Sequence, residues 1–170
     1  MSWFEYFAVF AAFFVTHSIP TRPNLRARLV NALGQRGFTA LYSCLSLLML
    51  WAVIHAAAKA PFVQLWESAP WHRSVVQICM FGVCLILAFS LARPNPFSFG
   101  GARNETFDPF KPGIVRWMRH PILIALALWA ALHLLANGDL AHVLLFGVFV
   151  AFALFGSSLI DARKKRDLGT

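Results

Sequence analysis

Six histidines stand in a chain otherwise poor in ionisable groups: His17, His55, His72, His120, His133 and His142. Neutral imidazole is a common metal ligand, and haem iron takes axial histidine. An ionisable side chain at membrane depth is costly and marks a functional candidate. A single one also serves to hydrogen-bond neighbouring helices. Several in one small bundle point to a cofactor. His120 and His133 are 13 positions apart. On one straight helix that is about 20 Å of rise and about 220° of rotation. Two axial ligands of one iron must approach to about 4 Å, given metal–nitrogen distances near 2 Å. These two histidines therefore cannot share an iron, and a haem must pair one of them with a group from another helix. His133 shares a helical face with Trp129 and Asn137, at spacing four on either side. Arg119 falls near the same face, where a guanidinium can meet a propionate or another anionic headgroup. Its plainer role is a basic anchor at the membrane surface.

The elements that position these residues follow from composition. Of 170 residues, 59% are hydrophobic and 13% charged, with 17 Phe and 6 Trp. Soluble domains run at about 45–50% apolar and about 25% charged. This excludes a disordered chain, a disulfide scaffold and most soluble enzymes, and leaves an integral membrane protein. Five apolar stretches stand out, at Trp3 to His17, Phe38 to Ala58, Ser74 to Ala92, Pro121 to Ala136 and Leu140 to Ile160. A membrane helix needs about 17–25 apolar residues. The second, third and fifth stretches meet this. The first is short unless it continues to Ile19, and the fourth unless it begins near Gly113. The first also lacks the features of a cleaved signal peptide, carrying Glu5 in place of a basic region and no small-residue site before Pro20.

A net charge of +8 would suggest nucleic acid in a soluble protein. Here 13 of the 15 basic residues gather in three segments: Ser18 to Gly37, Arg93 to Arg119, and the tail after Ile160. With five helices these segments share one side of the bilayer, which the positive-inside rule makes cytoplasmic. The expectation is an all-α integral membrane protein, a bundle of about five transmembrane helices, N-terminus outside and C-terminus cytoplasmic. It is embedded in a lipid bilayer, with no nucleic-acid partner. His17 and His120 then lie near the cytoplasmic face, and His55, His133 and His142 toward the outer one.

The connections carry readings of their own. Between Asn24 and Gly37, leucines at 25, 29 and 33 recur at spacing four, which suits a short interfacial helix capped by Asn24; an ordinary connecting turn is the alternative. Prolines and glycines crowd Arg93 to Pro112, so this segment is irregular and is the expected lid or binding loop. Trp66 and Trp71 suit an interfacial aromatic belt. Asn137-Gly138-Asp139 reads as a tight turn that makes the last two helices an antiparallel hairpin. Cys44, Cys79 and Cys84 read as reduced, buried thiols without metal-ligand spacing. No serine or cysteine has a paired base that would make it a nucleophile.

Several blocks together resemble the NnrU family of bacterial inner-membrane proteins: His17-Ser18, Leu33-Gly34-Gln35-Arg36-Gly37-Phe38 with Leu41-Tyr42-Ser43, Leu65-Trp66, Arg119-His120-Pro121, and Leu132-His133-Leu134-Leu135-Ala136-Asn137-Gly138-Asp139. The resemblance covers nearly the whole chain and implies one transmembrane domain over residues 1–170. It implies a role in denitrification, beside a nitrite or nitric oxide reductase as partner. The family is similar in turn to zeta-carotene isomerase, which binds haem b. That likeness implies haem b here, with His17 and His133 as the axial pair and His120 at a matching position; Arg119 and Asn137 are the cofactor-binding candidates that the His133 face itself offers. The isomerase pattern has Cys where this chain has Ala130 and Gly where it has Ala125. By depth alone, His17 with His120 is the better-matched pair. Arg-His-Pro also resembles the cofactor helix of isoprenylcysteine-type methyltransferases, which use S-adenosylmethionine and carry a Glu-Glu pair where this chain has Asp161. A third reading is a non-catalytic assembly subunit whose histidines only bridge helices.

Overall fold

The computed structural model describes residues 1–168, with side chains as far as residue 166. Five α-helices account for most of them, with two short 3-10 turns and no strand among the described residues. The helices are α1 (Trp3–Ser18), α2 (Pro23–Lys59), α3 (Pro70–Ser90), α4 (Pro121–Ala136) and α5 (Leu140–Leu168). Each apolar stretch of the sequence lies on one of them, save that α3 ends at Ser90, two residues short of the expected Ala92. Proline opens α2, α3 and α4, where its fixed φ suits the first turn and its missing N–H costs nothing.

Three helices, α2, α3 and α5, are long and apolar enough to cross a bilayer. The other two, α1 and α4, have 16 residues each, about 24 Å of rise against a hydrocarbon core of about 30 Å. The segment before α4 does not lengthen it: Gly113–Arg116 forms a 3-10 turn and the helix begins at Pro121. Within their spanning segments these helices expose large apolar side chains such as Leu47, Ile78 and Phe155, as helices bathed in lipid do. Cys44, Cys79 and Cys84 are free but exposed. They sit on these outer surfaces rather than in the core expected from the sequence.

The chain divides into two compact units, residues 1–63 and 64–170. In the first, α1 packs on α2 and Tyr6, Phe10, Phe13, Phe38 and Val53 are buried. The segment from Asn24 to Gly37 is helical, though Arg22 rather than Asn24 holds the cap position and the helix runs on into the next span. The two pieces meet at Gly34, whose φ of 71° and ψ of 161° lie outside the helical region. That conformation is essentially restricted to glycine. A Cβ there would meet nothing within 4 Å, so only the backbone opposes a side chain. Gly34→Ala is expected to cost about 1–3 kcal/mol, read as a lower thermal midpoint of the purified protein in detergent.

In the second unit α4 packs against both α3 and α5. Val83, Ala125 and Leu132 form the buried centre, with Val76, Met80 and Trp129 against it. The Asn137-Gly138-Asp139 turn does join α4 to α5 as a hairpin. Asp139 caps α5 by accepting the His142 N–H (3.1 Å). Segment 64–66 lies along this turn, with the Leu65 and Trp66 N–H groups donating to the Gly138 carbonyl at 2.6 and 3.1 Å.

Candidate functional site

The residues that share the His133 face of α4 are brought together as their spacing requires. His133 lies one turn before the helix end. Its Nδ1 is 2.8 Å from the Trp129 carbonyl, and a carbonyl only accepts, so Nδ1 carries the proton. The lone pair then resides on Nε2, which has no hydrogen-bond partner among the described residues. Every buried side-chain nitrogen and oxygen in the described structure is partnered, so Nε2 is open to its surroundings. A carbonyl fixing the tautomer while the far nitrogen stays open is the usual arrangement of a metal-ligating histidine. The rings of Trp129 and Phe146, with centroids 4.6 and 4.7 Å from the imidazole and 5.4 Å from each other, pack together against it. Asn137 closes the helix: its Nδ2 donates to the His133 carbonyl at 2.9 Å.

In the first unit, His17 lies at the end of α1, stacked on Phe13 and tilted against Tyr42. The Tyr42 hydroxyl donates to the His17 carbonyl at 2.8 Å. Ser46 Oγ approaches His17 Nδ1 at 3.4 Å. Nε2 again has no hydrogen-bond partner among the described residues.

His120 is a different case. It is buried and precedes α4, and both of its ring nitrogens are engaged. Nε2 lies 3.1 Å from Asp161 Oδ1 on α5, and Nδ1 lies 2.9 Å from Ser98 Oγ in the α3–α4 connection. A carboxylate oxygen accepts, so Nε2 donates to it and Nδ1 accepts the hydrogen bond of the Ser98 hydroxyl, a serine–base pairing that the sequence did not lead us to expect. No lone pair remains for a metal unless this network opens. The same Asp161 oxygen receives Arg119 Nε at 3.0 Å, while the Arg119 guanidinium lies over the Phe97 ring at 5.1 Å. Arg119 is thus committed to α5 and to the connection rather than to the His133 face. Asn95 Nδ2 donates to the Arg119 carbonyl at 3.1 Å, which fixes the backbone at this corner.

The family model for the NnrU protein matches residues 6–169. The chain belongs to the NnrU family. No curated protein and no solved structure matches it. For this NnrU chain the candidate ligands therefore divide on local chemistry, with His133 and His17 each presenting an open nitrogen and His120 serving as a strut between helices. His142 and His72 are also structural: His142 Nδ1 pairs with Asp139 Oδ2 at 2.7 Å, and His72 Nδ1 accepts the Ala69 N–H at 3.2 Å. The sequence pointed to Asp161 only as a departure from a Glu-Glu pair. Its role as the joint between α4 and α5 was missed. One signal was available, since it is the first acidic residue at the apolar-to-basic boundary of α5.

The helical ends and the irregular connection also enclose a cavity of about 450 Å³. Pro121, next to His120, lines it, but no histidine or cysteine does. The segment expected to form a binding loop supplies most of its wall.

Proposed function

We propose that this NnrU chain binds haem b through His133 and works beside the nitrite and nitric oxide reductases of denitrification, in the bacterial inner membrane. The single observation that supports the haem reading is the His133 imidazole: Nδ1 tied to the Trp129 carbonyl at 2.8 Å, Nε2 open, on a helix whose surroundings are apolar. A polar nitrogen without a partner is costly there, and a metal bond removes that cost. Haem b, when bound, supplies an iron centre for electron transfer and for small ligands. The chain's own contribution is to hold the tautomer, to steady the ring against the packed Trp129–Phe146 pair, and to keep water from the apolar face. The resemblance extends a ligand role to His17, and its open Nε2 is consistent with that; the His17→Ala variant tests this part separately. The concentration of basic residues supports an N-terminus outside and a C-terminus in the cytoplasm, which terminal reporter fusions check.

The protein purified from haem-replete cells should show a Soret band and the spectrum of haem b after extraction into alkaline pyridine. A colourless preparation would count against the proposal. For the physiological part, a strain lacking the gene should lose nitrite or nitric oxide reductase activity and regain it with the wild-type chain but not with His133→Ala.

A further inference from the structure

The cavity beside Pro121 has a chemical character that the haem reading does not use. Arg93 and Lys111 both line it, together with Asp108. Its neutral polar side chains are spent inside the protein. Ser90 Oγ donates to the Ile86 carbonyl at 2.5 Å, Thr106 Oγ1 to the Arg103 carbonyl at 2.8 Å, and Asn95 both donates to Arg119 and accepts the Phe97 N–H at 3.1 Å. Asp108 spends one oxygen on the Phe110 N–H at 2.9 Å. Neither Arg93 nor Lys111 forms an ion pair or side-chain hydrogen bond among the described residues. The unused hydrogen-bonding capacity of the cavity is therefore mainly cationic, two cations against one half-occupied carboxylate.

The rest of the wall is apolar, with Phe89, Phe107 and Trp117 prominent. Trp117 is 83% exposed, and neighbouring Phe110 is 94% exposed. Exposed aromatics among basic residues, at the ends of apolar helices, mark the level of lipid headgroups. Cationic donors above an apolar wall fit a ligand with an anionic head and a hydrocarbon body. A volume of this size takes a headgroup and the first part of an acyl chain, since ligand cavities start near 300 Å³.

We propose that this cavity binds an anionic phospholipid, with its phosphate held by Arg93 and Lys111 and its apolar part against Phe89, Phe107 and Trp117. The proposal does not rest on haem, because no haem-ligating side chain lines the site.

The test uses the full chain in detergent, stripped of lipid, with dioleoylphosphatidylglycerol and dioleoylphosphatidylcholine as competing probes and bound lipid counted by native mass spectrometry. The wild type should retain phosphatidylglycerol in preference. Arg93→Gln or Lys111→Gln should each weaken that retention about fivefold, and the double variant about 25-fold. Arg93→Lys should restore most of it, and Arg73→Gln, outside the cavity, should leave it unchanged. Equal retention of the two lipids by the wild type would overturn the proposal, as would undiminished phosphatidylglycerol retention by the double variant. Displacement of the lipid by millimolar inorganic phosphate or glycerol phosphate would also overturn it, by showing that the site reads a soluble anion. Both side chains are exposed and unpaired, so these variants should fold as the wild type does.

Discussion

His133→Ala should lose its haem while His120→Gln keeps it. The contrast follows from the two imidazoles. His133 offers an open Nε2 and uses Nδ1 only to hold its own tautomer on the Trp129 carbonyl. His120 has Asp161 on one nitrogen and Ser98 on the other. Loss of an outer partner of a metal-ligating histidine costs about 10–100-fold in affinity, so loss of the ligand itself should cost at least about 100-fold. The Soret absorbance per folded chain should then fall to background in His133→Ala. His120→Gln should be less stable, since it leaves Asp161 and Arg119 without their buried neighbour. Haem content should therefore be taken on the folded fraction after size exclusion. Equal haem in both variants would assign the ligand elsewhere.

Gly138→Ala should be the most damaging single methyl group in the second unit. A Cβ at Gly138 would overlap the Trp66 carbonyl oxygen and press on the Trp66 indole. The obstacle is backbone, which cannot swing aside as a flexible side chain does. The displaced segment also supplies the Leu65 and Trp66 N–H groups that the Gly138 carbonyl accepts, so relief of the clash breaks those bonds. Overpacking typically costs about 1–3 kcal/mol, and two backbone hydrogen bonds add about 1 kcal/mol each. A loss of about 3 kcal/mol or more is expected, seen as a reduced thermal midpoint and early proteolysis at residues 60–68. A midpoint equal to that of the wild type would mean that segment 64–66 does not lie on the turn. Asp161→Ala should cost about 2–3 kcal/mol, chiefly by leaving the buried His120 Nε2–H without an acceptor. The half-exposed Arg119 adds little, because water replaces its partner. Asp161→Asn should recover part of this through its amide oxygen, and the two thermal midpoints compared with the wild type measure the difference.

The last two helices were legible because their apolar runs end at residues with strong local preferences, Pro121 at the start of α4 and Asn137-Gly138-Asp139 between α4 and α5. The starts of α2 and α3 at Pro23 and Pro70 lie ahead of the apolar runs at Phe38 and Ser74 and were not. The His133 face was legible because i,i+4 spacing is a local property, and the Trp129 carbonyl and Asn137 are where it puts them. The Asp161–His120–Ser98 network was not. It joins positions 98, 120 and 161, and only the packing of α4 on α5 and the course of the α3–α4 connection bring them together. The fusion of the interfacial helix with the next span was hidden for another reason, since nothing in the sequence marks Gly34 as the residue that carries the chain through a bend. Cys44, Cys79 and Cys84 were placed inside because a helix that is apolar all round does not reveal which face meets lipid. The cavity cations were read as orientation signals, which the same residues can be while also lining a site.

The most direct test of haem ligation is chemical rescue at the ligand position. His133→Gly would be purified without haem and titrated with haemin in detergent, with and without free imidazole. If His133 is the ligand, the variant binds weakly alone, and added imidazole restores both the Soret position and the affinity of the wild type. If imidazole changes nothing, or if His133→Gly binds haemin as tightly as the wild type does, His133 is not the ligand.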